Sequence, residues 1–266
     1  MASGTSYDFQ FDDFFNYLIH PGAPILNGLV ITVVIAAVSQ VLGIGVGVVA
    51  ATMRRSQFFP LRWIANLYIW LMRGTPFLLQ VSIVYFAGFP FLGLSIFGGY
   101  RWGNVHIFGI VILGSILAGI FALTFNEGAY MAVIIEAGID SVDVGQMEAA
   151  RAIGMTRGQA MRHTILPQAA RIVVPPLGNQ FNLMLKNTSL LSVISVSELY
   201  TAATVLQGQT FQPFEVFGAV SIYYLALTTL WGFVQSLIEK RLRRGWASGA
   251  TATRTSFGRR LLLGTR

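Results

Sequence analysis

Apolar residues along this chain gather in long blocks separated by short polar segments, with neither strand-like alternation nor a single helical stripe. A helix crossing a hydrocarbon core of about 30 Å needs roughly 20 mostly apolar residues. Five stretches are that long: Ile25 to Met53, Trp63 to Phe89, Val105 to Ile135, Val173 to Val196, and Val216 to Ile238. The first and fifth carry no charge, Arg73 interrupts the second, Glu127 is the first charge in the third, and Lys186 lies in the fourth. This pattern predicts an all-α integral membrane fold with five transmembrane helices. The spanning domain covers residues 25–244, preceded by a segment over 1–24 and followed by a loose tail over 245–266.

Composition agrees with the pattern. Hydrophobic residues make up 54% of the 266-residue chain and charged residues 11%, against about 25% charged in soluble domains. Cysteine is absent, which excludes a disulfide scaffold. The net charge of +7 would suit nucleic acid, but the placement of the basic residues speaks for topology instead. Fifteen lie in the loops after spans one and three and in the segment after span five, against Arg101 alone on the other side. Positive residues stay inside, so the N-terminal segment is expected outside and the C-terminus in the cytoplasm. The first 53 residues contain no Lys or Arg, which argues against the basic start of a cleavable signal peptide.

Glycines at 43, 45 and 47, and the Gly114 to Gly119 pair, read as small-residue surfaces where helices approach closely. The loop over 136–172, between spans three and four, has helical periodicity instead of plain polarity. Met147, Ala150, Ile153 and Gly154 fall on one face, with Glu148 and Arg151 beside it. Gly154 is expected to stop that helix, and Thr156 to cap a second one ending before Pro167. Such a cytoplasmic knob is either a docking element for a soluble partner or an interfacial helix lying on the bilayer.

Glu148-Ala149-Ala150, then Gly154, then Leu166-Pro167 twelve positions on, resemble the EAA loop of ATP-binding cassette importer permeases. Gly145-Gln146 before it and Gln168-Ala169 after it are similar to the polar amino acid uptake branch. So are Arg73-Gly74-Thr75-Pro76 in span two and Lys186-Asn187-Thr188-Ser189-Leu190 in span four. The resemblance covers roughly residues 25 to 243. Two departures stand out. Thr164 occupies the position where the family usually has Ile, and Val133 and Glu136 replace a Glu and Arg three apart, so the family's ion pair there is missing or reversed.

The resemblance implies a permease subunit whose loop inserts into a groove on an ATPase, with Glu148, Ala149, Ala150, Gly154, Leu166 and Pro167 forming the coupling element. It further implies two ATP-binding subunits, a second permease chain (the same or a sister), an extracytoplasmic substrate-binding protein, and a multi-pass location in the bacterial cytoplasmic (inner) membrane. ATP and Mg belong to the partner ATPase. No cofactor or metal is expected on this chain, nor a catalytic residue. The sequence has no G-x-x-x-x-G-K-[ST] phosphate loop, and its three histidines lie in unrelated segments.

Polar residues inside spans are costly, roughly 2.5–3.5 kcal/mol for a charged one at the centre on insertion scales. Asn179, Asn182 and Lys186 form one stripe of span four, and Gln180 and Asn187 the adjoining one, with Leu183 and Met184 between. These amides either line a water-filled path or bond neighbouring helices. Lys186 either joins that path or pairs with a carboxylate such as Glu127. At Arg73-Gly74-Thr75-Pro76 the proline removes a helix hydrogen bond, so free carbonyls are expected there. The break is either a substrate-site device or a plain kink with Arg73 snorkelling to the interface. With the resemblance, the substrate path is assigned to Thr75, Gln180, Leu183, Lys186, Asn187 and Thr188. Amides and one lysine favour neutral polar or acidic amino acids such as glutamine or glutamate. The competing class is an ion-gradient-driven secondary amino acid carrier.

Overall fold

A computed structural model describes residues 8–87, 105–107 and 110–244. The described helices are α1 (Phe11–Ile19), α2 (Ala23–Arg54), α3 (Phe59–Gly74), α4 (Phe77–Ser82), α5 (Gly114–Asp140), α6 (Val144–Ala152), α7 (Arg157–Ala160), α8 (Leu166–Asn187), α9 (Leu199–Thr210) and α10 (Pro213–Arg244). Wide π turns follow α4 (Ile83–Ala87) and α7 (Met161–Ile165), and a tighter 3₁₀ stretch, Thr188–Ile194, follows α8. A small hairpin pairs β1 (Val105–Ile107) with β2 (Ile110–Ile112) antiparallel.

Three helices, α2, α5 and α10, are long and apolar enough to cross a membrane; the number reaches five if each of two bent pairs is one span. At 32 residues, α2 measures about 48 Å, well beyond the hydrocarbon thickness. The expected third span begins late, because Val105–Ile107 and Ile110–Ile112 pair as strands and the helix starts at Gly114. Val105, Ile107, Ile110, Val111 and Ile112 are β-branched, which favours strand over helix. The expected second span is two helices, bent by 107°. Thr75, held extended by the following proline, separates them. Gly88 and Phe89 at its expected end, and the tail over 245–266, lie outside the described residues. The segment over 1–24 contains a helix, α1, that the block pattern does not announce.

The chain divides into two compact units. One is drawn from residues up to Glu136 with Gln180–Thr228, the other from Ala137–Asn179 with the residues from Thr229 on. In the first, α2 is the central element. A Cβ on Gly28 would stand 3.0 Å from the backbone of Glu198 and Leu199, so glycine is what lets α2 and α9 meet. The Leu199 N–H donates to Thr32 Oγ1 across that contact at 3.2 Å. Gly43 and Gly47 lie four apart and meet Glu127 and Met131 of α5, also four apart, while Gly45 faces open space. Apolar packing is completed by Ala50, Ala51, Ile69, Ala129 and Ala132, and by Ile25, Leu199, Ala203 and Val216.

The second unit has its core at Val142, Ile165 and Ala169, with Ile139, Met147 and Met161 packed around them. Pro175 and Pro176 sit inside α8, where each removes a helical N–H. From α10, Gln235 donates to the Pro175 carbonyl and Trp231 Nε1 to that of Gly178, at 3.1 and 2.7 Å.

Candidate functional site

The residues of the EAA pattern form a closed knob in the second unit. Asp143 caps α6 by accepting the Gly145 N–H at 2.6 Å. The other end of α6 closes as a Schellman motif: Met155 N–H donates to Ala150 O, and Gly154 N–H to Arg151 O. Gly154 has φ +90°, the left-handed conformation that glycine adopts without steric cost. Thr156 then starts α7 with a capping box, its hydroxyl accepting from Gln159 N and its own N–H donating to Gln159 Oε1.

Helix does not stop before Pro167, as the sequence pattern predicts. The chain passes through the π turn Met161–Ile165 directly into α8, the wide turn making room for a proline whose ring would clash with the carbonyl four residues back in a regular helix. Ala150 is buried and anchors the knob. Glu148, Ala149, Gly154, Leu166 and Pro167 are exposed. Val144 and Ile153, 73% and 76% exposed, put apolar surface on the same element, so Ile153 does not share the burial of Ala150, with which the periodicity groups it.

In the first unit, the Thr75 hydroxyl donates to Leu71 O at 2.8 Å. Gln80 Nε2 donates to Met72 O, Thr75 O and Thr75 Oγ1 at 2.8–3.1 Å. Asn126 of α5 donates to Met72 O and to Gln80 Oε1 at 3.2 and 2.9 Å. The carbonyls freed by Pro76 are therefore tied down, contrary to the expectation. Gln80 and Asn126 were missed, although an amide inside an apolar span was the signal that singled out span four. Arg73 does not simply snorkel: its guanidinium lies 5.4 Å from the centre of the Tyr130 ring.

Along α8, Gln180 and Asn187 are half-buried and Leu183 and Lys186 exposed, whereas Met184, Leu185 and Thr188 are buried. Gln180, Leu183 and Asn187, at spacings of three and four, thus share the less covered side. Thr188 faces inward and its hydroxyl donates to Leu185 O at 2.9 Å. Ser189 does the same to Lys186 O at 2.7 Å. These hydroxyls compete for carbonyls at the place where α8 tightens into the 3₁₀ stretch. Glu127 is buried against Gly43 with Oε1 lacking a partner among the described residues, and Lys186 is exposed, so the two do not pair. The residue that replaces the family's Arg, Glu136, accepts from Arg54 Nη1 at 2.7 Å.

Two further features of the first unit escaped the sequence. Glu198 is fully buried, capping α9 by accepting from Tyr200 N and Thr201 N while Tyr224 OH donates to it at 2.9 Å. A cavity of about 630 Å³ lies among α1, α2 and α9, lined by Tyr17, His20, Asn27, Ile31, Thr201 and Val205 among others. None of the assigned path residues lines it.

Against known proteins, residues 43–244 match the family described as binding-protein-dependent transport system inner membrane component. The chain belongs to that family, within its amino acid ATP-binding cassette transporter permeases. It is 39% identical over 218 residues to the probable glutamine ABC transporter permease protein GlnM of Bacillus subtilis, covering 82% of this chain and 91% of that one. Identity is 36% over 237 residues to the arginine transport system permease protein ArgU of Corynebacterium glutamicum, covering 86% and 70%. The crystal structure of an amino acid ABC transporter with histidines is similar at a TM-score of 0.74 and 33% identity, covering 88% of this chain and all of that one.

Proposed function

We propose that this chain is the membrane-spanning subunit of an ATP-driven importer that moves polar amino acids handed over by an extracytoplasmic substrate-binding protein. It works with two ATP-binding subunits and a second permease chain, the same or a sister, in the bacterial cytoplasmic (inner) membrane. Five spans put the N-terminus outside and the C-terminus in the cytoplasm. ATP and Mg are held by the ATPase partners, and this chain carries no catalytic residue, cofactor or metal and binds no nucleic acid.

The observation that carries this reading is the α6–α7 knob. Its backbone is closed by its own caps, and it leaves Glu148, Val144 and Ile153 outward. A rigid small element with apolar and acidic side chains projecting from it suits insertion into a groove on a soluble partner. Glu148, Ala149, Ala150, Gly154, Leu166 and Pro167 form the coupling element. Gln180, Leu183, Lys186 and Asn187, with Thr75 at the break after α3, face the path, and Thr188 supports it from behind. Glutamine- or glutamate-like substrates suit amides beside one lysine; the Bacillus relative's name points to glutamine, and the Corynebacterium relative's to arginine.

Uptake into vesicles carrying the assembled complex tests the reading. With ion gradients collapsed and ATP supplied inside, labelled glutamine should accumulate when the binding protein is present. Uptake that follows an ion gradient and ignores ATP would mean a secondary carrier.

A further inference from the structure

We propose that α1 is an interfacial membrane anchor, lying in the headgroup boundary of the leaflet where α2 begins, with the acyl region of the bilayer as its partner. The helix presents three sides. Successive helical residues turn by about 100°, so Phe11, Phe15 and Ile19 make one stripe and Asp12, Asn16 and His20 the next. Asp13 and Tyr17, then Phe14 and Leu18, complete the circle.

The third side is held by the protein. Gln212 donates to Asp13, and Tyr17 OH donates to Gln212 Oε1 at 2.7 Å. Tyr223 OH reaches Leu18 O at 2.6 Å, and the Gln10 N–H, just before the helix, donates to Glu215 at 2.7 Å. Phe14 lies against Gly218. These contacts fix the rotation of α1, so its other two sides cannot exchange places.

What they leave outward is a large apolar stripe beside a polar one. Phe11, Phe15 and Ile19 are 68%, 50% and 63% exposed, whereas Asp12, Asn16 and His20 are the exposed polar neighbours. Two phenylalanines and an isoleucine on one stripe form an unusual water-facing surface for a nine-residue helix. Continuity with a spanning helix sets the occupant. Only His20, Pro21 and Gly22 separate α1 from the start of α2, so α1 cannot leave the level of the membrane boundary. A helix held there, with one side docked, presents its apolar stripe to lipid and its polar stripe to water. Charge sharpens the partner: Asp8, Asp12 and Asp13, with no Lys or Arg in the first 53 residues, offer anionic headgroups nothing. The attachment is apolar and independent of lipid charge.

This inference rests on α2 crossing the bilayer, not on which way round it crosses or what is transported. The chain has no cysteine, so single spin labels report directly. Phe11→Cys, Phe15→Cys, Ile19→Cys, Asp12→Cys and Asn16→Cys would each be labelled in the full permease complex, in bilayers of zwitterionic phosphatidylcholine with and without anionic phosphatidylglycerol. Labels at 11, 15 and 19 should show oxygen accessibility severalfold above that for a water-soluble nickel chelate, with the order reversed at 12 and 16, in both lipids. A label at residue 30 within α2 (Val30→Cys) checks that the helix is inserted. Equal chelate access at all five α1 positions, with the label at 30 still in lipid, would overturn the anchor alone. So would protection at 11, 15 and 19 from both reagents, which would mean that a protein surface covers the stripe. An anchor that appears only with anionic lipid would overturn the apolar mechanism.

Discussion

The α6–α7 knob and the polar side of α8 are built on opposite principles. The knob closes on itself within residues 143–159: Asp143, Gly154, Thr156 and Gln159 satisfy backbone groups from neighbours in sequence. The α8 side does not close on itself. Gln180, Leu183 and Asn187 face outward from their unit, and Asn182 Oδ1 is buried without a partner among the described residues. A self-sufficient element suits transmission of force between subunits. A polar surface inside an apolar span makes sense only against something polar, whether water, substrate or another chain.

The largest effect is expected at Gly154. Gly154→Asp forces a β-carbon into a left-handed conformation, at about 1–2 kcal/mol, and puts a charge on the docking face. ATP-driven uptake should vanish while the chain still inserts in the membrane, as membrane fractionation beside transport assays would show. Gly154→Asn, the residue that sometimes replaces glycine at such a helix end and adds no charge, should retain more uptake. Normal transport by the aspartate variant would end the coupling assignment.

Next comes the latch on the α3–α4 break. Asn126→Leu removes a donor from Met72 O and leaves Gln80 Oε1 unpaired, which should cost about 1–3 kcal/mol. Thermal unfolding in detergent would register the loss, and an unshifted midpoint would show that the latch contributes nothing. On the α8 side, Gln180→Leu and Asn187→Leu should lower uptake without disturbing stability, and Asn187→Asp should turn preference away from acidic amino acids. Competition among labelled amino acids reads this out; unchanged rates and preferences in all three variants would reduce the stripe to packing. The smallest effect is expected at Arg54–Glu136, a partly exposed ion pair of about 0–1 kcal/mol. Glu136→Gln should barely shift the midpoint, and exchanging the charges (Arg54→Glu with Glu136→Arg) should restore any loss.

These differences also explain what the sequence made legible. Caps and glycine stops are local, so Gly154 and Thr156 could be read from their neighbours, and long apolar runs announced α2 and α10. Pro167 misled because a wide turn before it lets helical structure run on through a proline. Val105–Ile107 and Ile110–Ile112 misled because β-branched apolar residues suit paired strands as well as a buried helix. The partners of Thr75, Gln80 and Asn126, come from a later turn and from another helix, and no spacing rule links 75 to 126. Glu198 was hidden similarly, since its contacts with Tyr224 and the α9 backbone require the folded arrangement.

Co-purification of the ATPase subunit with tagged permease variants tests the division of labour most directly. Gly154→Asp is expected to lose the ATPase, whereas Asn187→Leu retains it at the wild-type ratio. Retention by the Gly154 variant, or loss by the Asn187 variant, would contradict the assignment of coupling to the knob and of substrate to α8.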